Sequence, residues 1–508
     1  MSHTASTGGS SRTLIAGILL ILCGYAAALG CGWPQWATAQ IAAGEHASQP
    51  AAEPVPPPLA MVLPFALLLL AIAVFPILPR VSQWWESNLH RLVVALALGA
   101  VTVAYYLWLH EHPVDSHFPA HHAVSHDPAG LNFATTWAVI SNAILQEYIP
   151  FILLLFSLYT ISGGIRIAGD LPAHPATNTA FLGIGTLLAS FIGTTGAAML
   201  LIRPLLETNR ERKHVVHTVV FFIFTVCNCG GCLLPIGDPP LFLGYLRGVP
   251  FLWTFTLWAP WAVVNGLLLA VYFFWDAYWF YPREAKPDID RDETWVHRLR
   301  FQGVWPNALL LAGVILSIAL LDPAKTFPGT HWHPWLYLRE TAQLALVLLS
   351  LTLGRESVRR ANQFNYHAIV EVAVLFLGIF ICMQPPLQIL HVRGPALGLT
   401  TPAQFFWATG SLSAVLDNAP TYVVFFTTAG TLGGTGLVAG VQQDLLVAVS
   451  LGAVFMGAMT YIGNGPNFMV KAIAEKAGVR MPSFFGYLGY SCVVLLPLLA
   501  VATWLFLR

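Results

Sequence analysis

Long apolar segments separated by short polar ones make up most of this chain. Two of them, 214–246 and 440–477, are interrupted in the middle, and each follows a compound apolar segment, 178–206 or 401–430. The others approach the roughly 20 residues that span a bilayer. They lie near 13–29, 59–78, 91–109, 136–165, 251–280, 304–321, 336–353, 366–384 and 482–506. The pattern predicts an all-α polytopic membrane protein.

The first interruption, residues 225–241, holds three Gly, three Pro, Asn228 and Asp238. Gly and Pro stop the helical hydrogen-bond ladder and free backbone carbonyls. At membrane depth, irregular backbone is tolerated only where it is buried in protein or lines a watery cavity. We therefore expect a discontinuous helix that forms part of an ion site in a transporter.

Two parts of the chain repeat the same order of features. Ser190 follows Glu147 by 43 residues, and Ser413 follows Glu371 by 42. Each serine precedes an interrupted segment, which reads Pro-Ile-Gly-Asp-Pro-Pro at 235–240 and Tyr-Ile-Gly-Asn-Gly-Pro-Asn at 461–467. Paired discontinuous helices in inverted repeats are typical of secondary transporters with a site near the bilayer midplane. We expect two inverted repeats, each with a re-entrant helical hairpin and a discontinuous transmembrane helix.

Composition and charge agree with this class. The chain has 508 residues, 56% hydrophobic and 9% charged, whereas soluble domains carry about 25% charged residues. Its net charge is zero, which excludes a nucleic-acid footprint. If both compound segments return to their own side, 19 of the 24 Lys and Arg lie on the side of residue 12 and 5 on the other. The positive-inside rule then places the segment before residue 13 in the cytoplasm, in a multi-pass protein of the cell inner (plasma) membrane.

The same features divide the chain into five regions. Whether residues 1–39 are a cleaved signal peptide stays open, because Ala37-Thr38-Ala39 resembles a cleavage site. The expected regions are 1–58 (signal peptide or first transmembrane helix, then an exterior linker), 59–134 (peripheral helices and a His-rich exterior loop), 135–280 (transport repeat 1), 281–364 (a cytoplasmic loop and connecting helices) and 365–508 (transport repeat 2).

Oxygen-bearing side chains at the hairpin tips and interruptions are the candidates for binding a small cation, which prefers such ligands. The candidate ion- or substrate-binding residues are Ser190, Thr194, Thr195, Asn228, Gly231, Asp238, Ser413, Asp417, Asn418, Asn464 and Asn467. A carboxylate at membrane depth can hold a proton or Na⁺, and can thereby exchange one for the other. The candidate proton carriers are Asp417, Asp238, Glu147 and Glu371.

Each of these acids also has a structural alternative. Asp417 could cap a helix, Asp238 could shape a turn, and the two glutamates could be interfacial anchors. No cofactor and no metal beyond transported Na⁺ are expected.

Three motifs carry a resemblance to a known family. They are Asn-Cys-Gly-Gly at 228–231 with Ile-Gly-Asp-Pro-Pro at 236–240, Ser-Ala-Val-Leu-Asp-Asn-Ala-Pro at 413–420, and Thr-Tyr-Ile-Gly-Asn-Gly-Pro-Asn at 460–467. Over residues 135–500 the chain resembles the ion transporter superfamily, which includes sodium/proton antiporters, citrate and dicarboxylate transporters and arsenite permeases. It is most similar to the group of sodium/proton antiporters and citrate transporters.

The resemblance implies inverted repeats, often in a homodimer. It also implies Na⁺ near Ser190, Thr194, Asn228 and Gly231, and a second site at Ser413, Asp417, Asn418 and Asn464. The tips Gly193-Thr194-Thr195 and Leu416-Asp417-Asn418 depart from the Ser-Asn-Thr pattern of dicarboxylate carriers, which favours the antiporter.

The sequence thus predicts a secondary active transporter, a Na⁺/H⁺ antiporter, with a Na⁺- or H⁺-coupled citrate or dicarboxylate transporter as the alternative. An enzyme is not expected, because the chain has no His-Glu-x-x-His or Gly-x-Ser-x-Gly motif. The absence of a P-loop argues against transport driven by ATP. The expected partners are the lipid bilayer, a small inorganic cation and, for the alternative, an organic anion. The six His between 110 and 126 predict a solvated loop rather than a Zn²⁺ site, and Cys227, Cys229 and Cys232 predict close packing rather than a soft-metal site.

Overall fold

The computed structural model describes residues 7–44, 55–76, 78–127, 130–294 and 299–508. These residues are mainly helical, which confirms the predicted all-α class. The helices are Thr7–Gly30, Trp33–Gly44, Leu59–Val62, Leu63–Val74, Ser82–Trp85, Asn88–Trp108, Phe133–Ser141, Asn142–Tyr148, Ile149–Ser162, Pro175–Ile192, Thr194–Thr208, Val216–Thr225, Cys229–Cys232, Pro239–Leu246, Phe251–Leu257, Trp258–Trp275, Asp276–Phe280, Tyr281–Arg283, Lys286–Thr294, Val304–Leu320, Leu338–Leu353, Glu356–Ala361, His367–Cys382, Gln384–Arg393, Gly394–Leu397, Pro402–Ser413, Asn418–Gly430, Gln443–Met456, Gly457–Met459, Gly465–Lys476, Phe484–Tyr490, Ser491–Leu495 and Leu496–Phe506. The strands are Val114–Ser116, His122–Val124, Arg166–Ala168, Arg300–Gln302, Leu437–Val438 and Val441–Gln442.

Within the described residues, six helices are long and apolar enough to cross a membrane, and seven if the bent pair His367–Cys382 and Gln384–Leu397 is one span. The six are Arg12–Gly30, Asn88–Trp108, Phe133–Ser162, Pro175–Ile192, Phe251–Arg283 and Phe484–Phe506. Shorter apolar helices include Leu59–Val74 and Val304–Leu320. A helix satisfies its own backbone groups, so this composition suits a bilayer, and the chain is a multi-pass membrane protein.

The described residues form two compact units, each built from separate parts of the chain. The first unit comprises those within 1–55, 103–166 and 302–381, and the second those within 56–102, 167–301 and 382–508. The second unit contains both compound segments and both interrupted segments. The predicted inverted relation between the two repeats, and the return of each hairpin to its own side, stay predictions.

In the first unit, helices Ile149–Ser162 and His367–Cys382 pack through aromatic side chains. The rings of Phe151 and Phe376 stack with centroids 4.7 Å apart. The hydroxyl of Tyr148 donates to the carbonyl of Ala373 at 3.0 Å. The segments that begin the two predicted repeats are therefore in direct contact.

In the second unit, each compound segment folds as two packed helices, which we call hairpin 1 (Pro175–Ile192 and Thr194–Thr208) and hairpin 2 (Pro402–Ser413 and Asn418–Gly430). Hairpin 1 turns at Gly193, whose φ of 78° is accessible to glycine at little cost. We call the interrupted segments broken helix 1 (Val216–Thr225 and Pro239–Leu246) and broken helix 2 (Gln443–Met456 and Gly465–Lys476).

A buried ion pair fixes the chain between hairpin 1 and broken helix 1. Arg212 donates to Asp276 through Nη1 at 2.9 Å and Nη2 at 2.5 Å. Asp276 is fully buried, in the π-helix that continues Trp258–Trp275. The carboxylate of Glu284 accepts the backbone N–H groups of residues 213 and 214 at 3.0 and 2.9 Å. The loop that follows hairpin 1 is therefore held to the end of a neighbouring helix by charge as well as by packing.

Candidate functional site

Broken helix 1 is interrupted where glycine packs against backbone. The break covers residues 226–238 and contains one short 3-10 turn, Cys229–Cys232. A Cβ on Gly230 would lie 2.6 Å from the carbonyl oxygen of Thr186, and a Cβ on Gly237 would meet the carbonyl of Gly231. Only glycine fits these positions, so the backbone conformation of the break depends on glycine at 230 and 237.

Broken helix 2 repeats this construction. Its two parts are separated by residues 457–464, which include the short turn Gly457–Met459. A Cβ on Gly463 would lie 2.6 Å from the carbonyl oxygens of both Gly457 and Ser413. The spacing from Gly231 to Gly237 is thus repeated from Gly457 to Gly463, with the same close approach.

The carbonyls freed in broken helix 1 are bonded by side chains of other segments. The carbonyl of Gly230 accepts from Ser190 Oγ at 2.5 Å and from Trp261 Nε1 at 3.1 Å. Asn265 Nδ2 donates to the carbonyl of Cys229 at 3.0 Å. These donors replace the missing helical hydrogen bonds and hold the irregular backbone in one conformation.

In broken helix 2, Asn467 and Tyr487 donate hydrogen bonds to the freed carbonyls. Asn467 Nδ2 donates to the carbonyls of Gly457 and Thr460, at 2.9 Å each. The hydroxyl of Tyr487 donates to the carbonyl of Ala458 at 2.8 Å. These carbonyls of both breaks are therefore satisfied by protein groups.

Each hairpin tip contacts the glycine that precedes the second part of a broken helix. The N–H of Thr194 donates to the carbonyl of Gly237 at 2.8 Å, and the N–H of Asn418 donates to the carbonyl of Gly463 at 3.2 Å. Thr194 and Asn418 are each the first residue of the second helix of their hairpin. The two tips thus dock on the two breaks through matching backbone bonds.

All four segments meet at the carboxylate of Asp238. Its Oδ1 accepts from Thr194 Oγ1 of hairpin 1 and from Asn464 Nδ2 of broken helix 2, both at 3.0 Å. Its Oδ2 accepts from Asn418 Nδ2 of hairpin 2 at 2.7 Å. Asp238 is 1% exposed, and its three donors are neutral. A carboxylate buried among neutral groups is costly, which makes it a functional candidate.

Local sequence explains why Asp238 points into the site and Asp417 does not. Both residues precede a helix. Asp417 caps its helix by accepting from the N–H of Ala419 at 3.0 Å. The helix after Asp238 begins with Pro239 and Pro240, which have no N–H, and Asp238 makes no side-chain cap bond. Its carboxylate is therefore free to receive donors from other segments.

Asn228 and Asn418 extend the site. Asn228 Nδ2 donates to Asn467 Oδ1 at 2.7 Å, and Asn228 Oδ1 accepts from Asn464 Nδ2 at 3.2 Å. Asn418 is fully buried, and its Oδ1 has no hydrogen-bond partner within the part of the chain that the structure describes. An unsatisfied buried oxygen beside a carboxylate is suited to a small cation, which binds oxygen ligands.

Comparison with known proteins identifies a transport family. Residues 56–507 match the family described as "Putative citrate transport". The chain belongs to this family. A search of curated proteins finds no match to the chain. Membership of a transport family, together with the membrane-spanning helices, makes the protein a membrane transporter.

The remaining predicted residues of the two tips lie at or near the breaks of this transporter. Ser413 Oγ donates to the carbonyl of Ala453 at 2.7 Å, so it bonds to broken helix 2. Gly231 is packed against Thr194, and a Cβ there would lie 2.8 Å from Thr194 Cγ2. Thr195 is half-buried in the first turn of its helix, and no hydrogen bond of its hydroxyl is found among the described residues. A role of these residues in ion binding stays a prediction.

Glu147 and Glu371 belong to the first unit, whereas the Asp238 site belongs to the second. Glu147 lies in the π-helix Asn142–Tyr148 and Glu371 in helix His367–Cys382, and both are half-buried. A π-helical turn is often found at functional sites. Their proposed role as proton carriers stays a prediction.

The histidine and cysteine clusters show no metal site within the described residues, where no group of three or more His, Cys, Asp or Glu could hold an ion. The three cysteines of broken helix 1 are buried free thiols. His110 is 1% exposed and Tyr105 lies 3.1 Å away, so the predicted solvated loop begins with a buried residue.

Sequence reasoning missed the groups that satisfy the breaks. Trp261 fits an interfacial aromatic belt by sequence, yet it is half-buried and bonded to Gly230. Thr254 likewise donates to the carbonyl of Leu233 at 3.0 Å. The available signal was Asn265, a polar residue in the middle of an apolar span.

Proposed function

We propose that this transporter exchanges Na⁺ for H⁺ and that Asp238 carries the exchanged ion. The observation that supports this is the convergence of both hairpins and both broken helices on one buried carboxylate. A proton or a bound Na⁺ would each neutralise that carboxylate, and both cannot be held in full at once. Competition for one site is the minimum requirement of an antiporter.

The surroundings of Asp238 favour a cation over citrate as cargo. The side chains that contact it, Thr194, Asn418 and Asn464, are neutral. A desolvated site for a multivalent carboxylate is expected to contain Arg or Lys. A negative centre would repel such an anion and attract Na⁺.

In this proposal the identity of the bound ion, H⁺ or Na⁺, changes the interactions that hold the two hairpins and the two broken helices together at Asp238. With a proton on Asp238, the carboxyl group is neutral and keeps a hydrogen-bond network. With Na⁺, the carboxylate and the oxygen atoms of Asn418 and Thr194 become ligands. Asn418 Oδ1 is then satisfied by the ion. The proton leaves to the side that is open to water when Na⁺ arrives.

The alternative is Na⁺- or H⁺-coupled transport of citrate or a dicarboxylate. The family description favours it. In that case the same cation site would serve for coupling, and the anion would bind beside it, for example at the polar tips of the hairpins. A partner subunit in a homodimer, a location in the inner membrane and a cytoplasmic N-terminal segment belong to either version and stay predictions.

Vesicles with reconstituted protein and a trapped pH indicator separate the two. We expect a Na⁺-induced change of internal pH without any organic anion, and its loss in Asp238→Asn. Asp444→Asn, at an exposed position, is the matched control and is expected to behave as wild type. Uptake of labelled citrate that requires Na⁺, together with no Na⁺-induced pH change when citrate is absent, would instead establish the alternative.

Asp417→Asn tests the second carboxylate. Asn is as good a helix cap as Asp, so the fold should persist. We expect Na⁺-coupled transport to be abolished in this variant, because it removes a negative charge that acts on Asp238 through space. Near-normal transport would leave Asp417 with a capping role alone.

A further inference from the structure

Asp238 and Asn464 occupy matching positions in the two broken helices. Each is the extended residue before the second part of its helix, with φ and ψ of −139° and 143° for Asp238 and −154° and 140° for Asn464. Each follows a glycine whose carbonyl accepts from the first residue of a hairpin helix. Each precedes a helix that has proline among its first two residues, Pro239 and Pro240 after Asp238 and Pro466 after Asn464, and neither makes a side-chain cap bond. The backbone conformation and the backbone contacts are therefore similar at the two positions.

The two side chains differ in charge and bond to each other. Asn464 Nδ2 donates to Asp238 Oδ1 at 3.0 Å, to Asn228 Oδ1 at 3.2 Å and to the carbonyl of Cys227 at 3.0 Å. Asn464 is 2% exposed. Its amide thus fills, with a neutral donor, the position that matches the carboxylate of Asp238.

We propose that Asn464 determines the charge selectivity of the site, by limiting its centre to one carboxylate and its cargo to a monovalent cation. This rests on the proposed cation transport. Sites for divalent cations gain affinity with each added carboxylate. A second carboxylate at 464 would lie beside Asp238, and two such charges ionise together only when a divalent ion or a shared proton compensates them.

Asp417 is not hydrogen-bonded to Asp238, although its negative charge acts on Asp238 through space. Its Oδ1 accepts from the N–H of Ala419, so that carboxylate is engaged at the start of a hairpin helix, where the helix dipole favours a negative charge. The residues that bond directly to Asp238 are Thr194, Asn418 and Asn464, and all three are uncharged. Of these three residues, Asn464 is the one that occupies, in broken helix 2, the position that Asp238 occupies in broken helix 1.

The test compares three variants of the full-length protein in detergent, with Na⁺ and Ca²⁺ as probes at fixed ionic strength. Binding is measured as thermal stabilisation over a range of ion concentrations. We expect wild type to respond to Na⁺ with little response to Ca²⁺. Asn464→Asp should bind Ca²⁺ at least about tenfold more tightly than wild type does. Asp238→Asn should lose the response to Na⁺.

The double variant Asp238→Asn/Asn464→Asp is the matched control, because it moves the carboxylate without adding one. It should keep the preference for Na⁺, and it tests the inference if Asn464→Asp does not fold. If wild type responds to Na⁺ but Asn464→Asp gains no Ca²⁺ affinity, or if the double variant prefers Ca²⁺, the inference is wrong and the proposed function stands. If wild type shows no response to Na⁺, the proposed function fails and the inference with it.

Discussion

Replacing Asp276 should destabilise the protein strongly although it lies outside the ion site. Asp276 is fully buried and accepts two hydrogen bonds from Arg212, with His217 Nε2 at 3.0 Å and the hydroxyl of Tyr272 at 3.3 Å. Breaking a buried ion pair by removing one partner costs about 3–5 kcal/mol, because the other charge stays buried. Glu284 remains 3.5 Å from Arg212 Nε, so we expect the lower end for Asp276→Leu. About 3 kcal/mol corresponds to roughly a 150-fold change in the unfolding equilibrium.

Removing both charges should cost less than removing one. In Arg212→Met/Asp276→Leu the two hydrogen-bonded charges are removed together, and replacing a buried pair with apolar groups is often close to neutral. Glu284 loses Arg212 but keeps its bonds from the N–H groups of residues 213 and 214. We therefore expect a coupling free energy of about 2 kcal/mol between the two positions. Glu356→Leu breaks the ion pair with Arg360, in which the side chain of Glu356 is 53% exposed and that of Arg360 62%, and should cost below about 1 kcal/mol.

The assay is unfolding by a denaturing detergent, followed by far-UV circular dichroism, with the midpoint and slope determined for each variant. Destabilisation by Asp276→Leu that is no greater than that by Glu356→Leu would contradict this prediction. A double variant that loses as much stability as the sum of the two single variants would contradict it as well. Either result would mean that the Arg212 pair contributes nothing specific to the anchoring of hairpin 1.

Three further predictions concern other parts of the chain. Gly237→Ala should destabilise the protein by about 1–3 kcal/mol and abolish transport, because the new Cβ would meet backbone atoms. Gly266→Ala, where the Cβ would enter open space, should be neutral or slightly stabilising. Thermal unfolding and vesicle transport are measured for both variants. Trp261→Phe loses the bond to broken helix 1 and should slow transport more than Trp258→Phe, whose side chain is 63% exposed. Burial lowers the pKa of His110 to about 4 from 6.5. The neutral side chain therefore stabilises the fold above pH 6.5, and that contribution is lost as the pH falls toward 4. A melting temperature that depends less on pH in His110→Gln would support this, and an unchanged dependence would contradict it.

The positions of the helices and breaks follow from local sequence, which is why they could be predicted. Apolar runs of sufficient length form helices, and Gly or Pro interrupts them, so the break at 226–238 needed no knowledge of its neighbours. The Asp-Pro-Pro order also contains the reason that Asp238 does not cap its own helix. These effects act within a few residues of the chain.

The partners of these residues depend on contacts between distant segments, which spacing alone does not give. By sequence Asp417 and Asp238 were both candidates for the same role, and the three donors that converge on Asp238 come from segments distant in the chain. Arg212 and Asp276 are 64 residues apart and pair through the packing of the second unit. The bond from the indole N–H of Trp261 to the carbonyl of Gly230 joins residues 31 positions apart, and an aromatic-rich sequence does not reveal it.

The most direct test of the account is the count of protons released when Na⁺ binds. Purified protein in weakly buffered detergent, at a pH low enough that Asp238 is protonated before Na⁺ is added, is titrated with Na⁺ while a dye records the pH and calorimetry records binding. We predict release of about one proton for each Na⁺ bound by wild type, and none from Asp238→Asn. Na⁺ binding without proton release, or equal release from Asp238→Asn, would contradict exchange at this carboxylate.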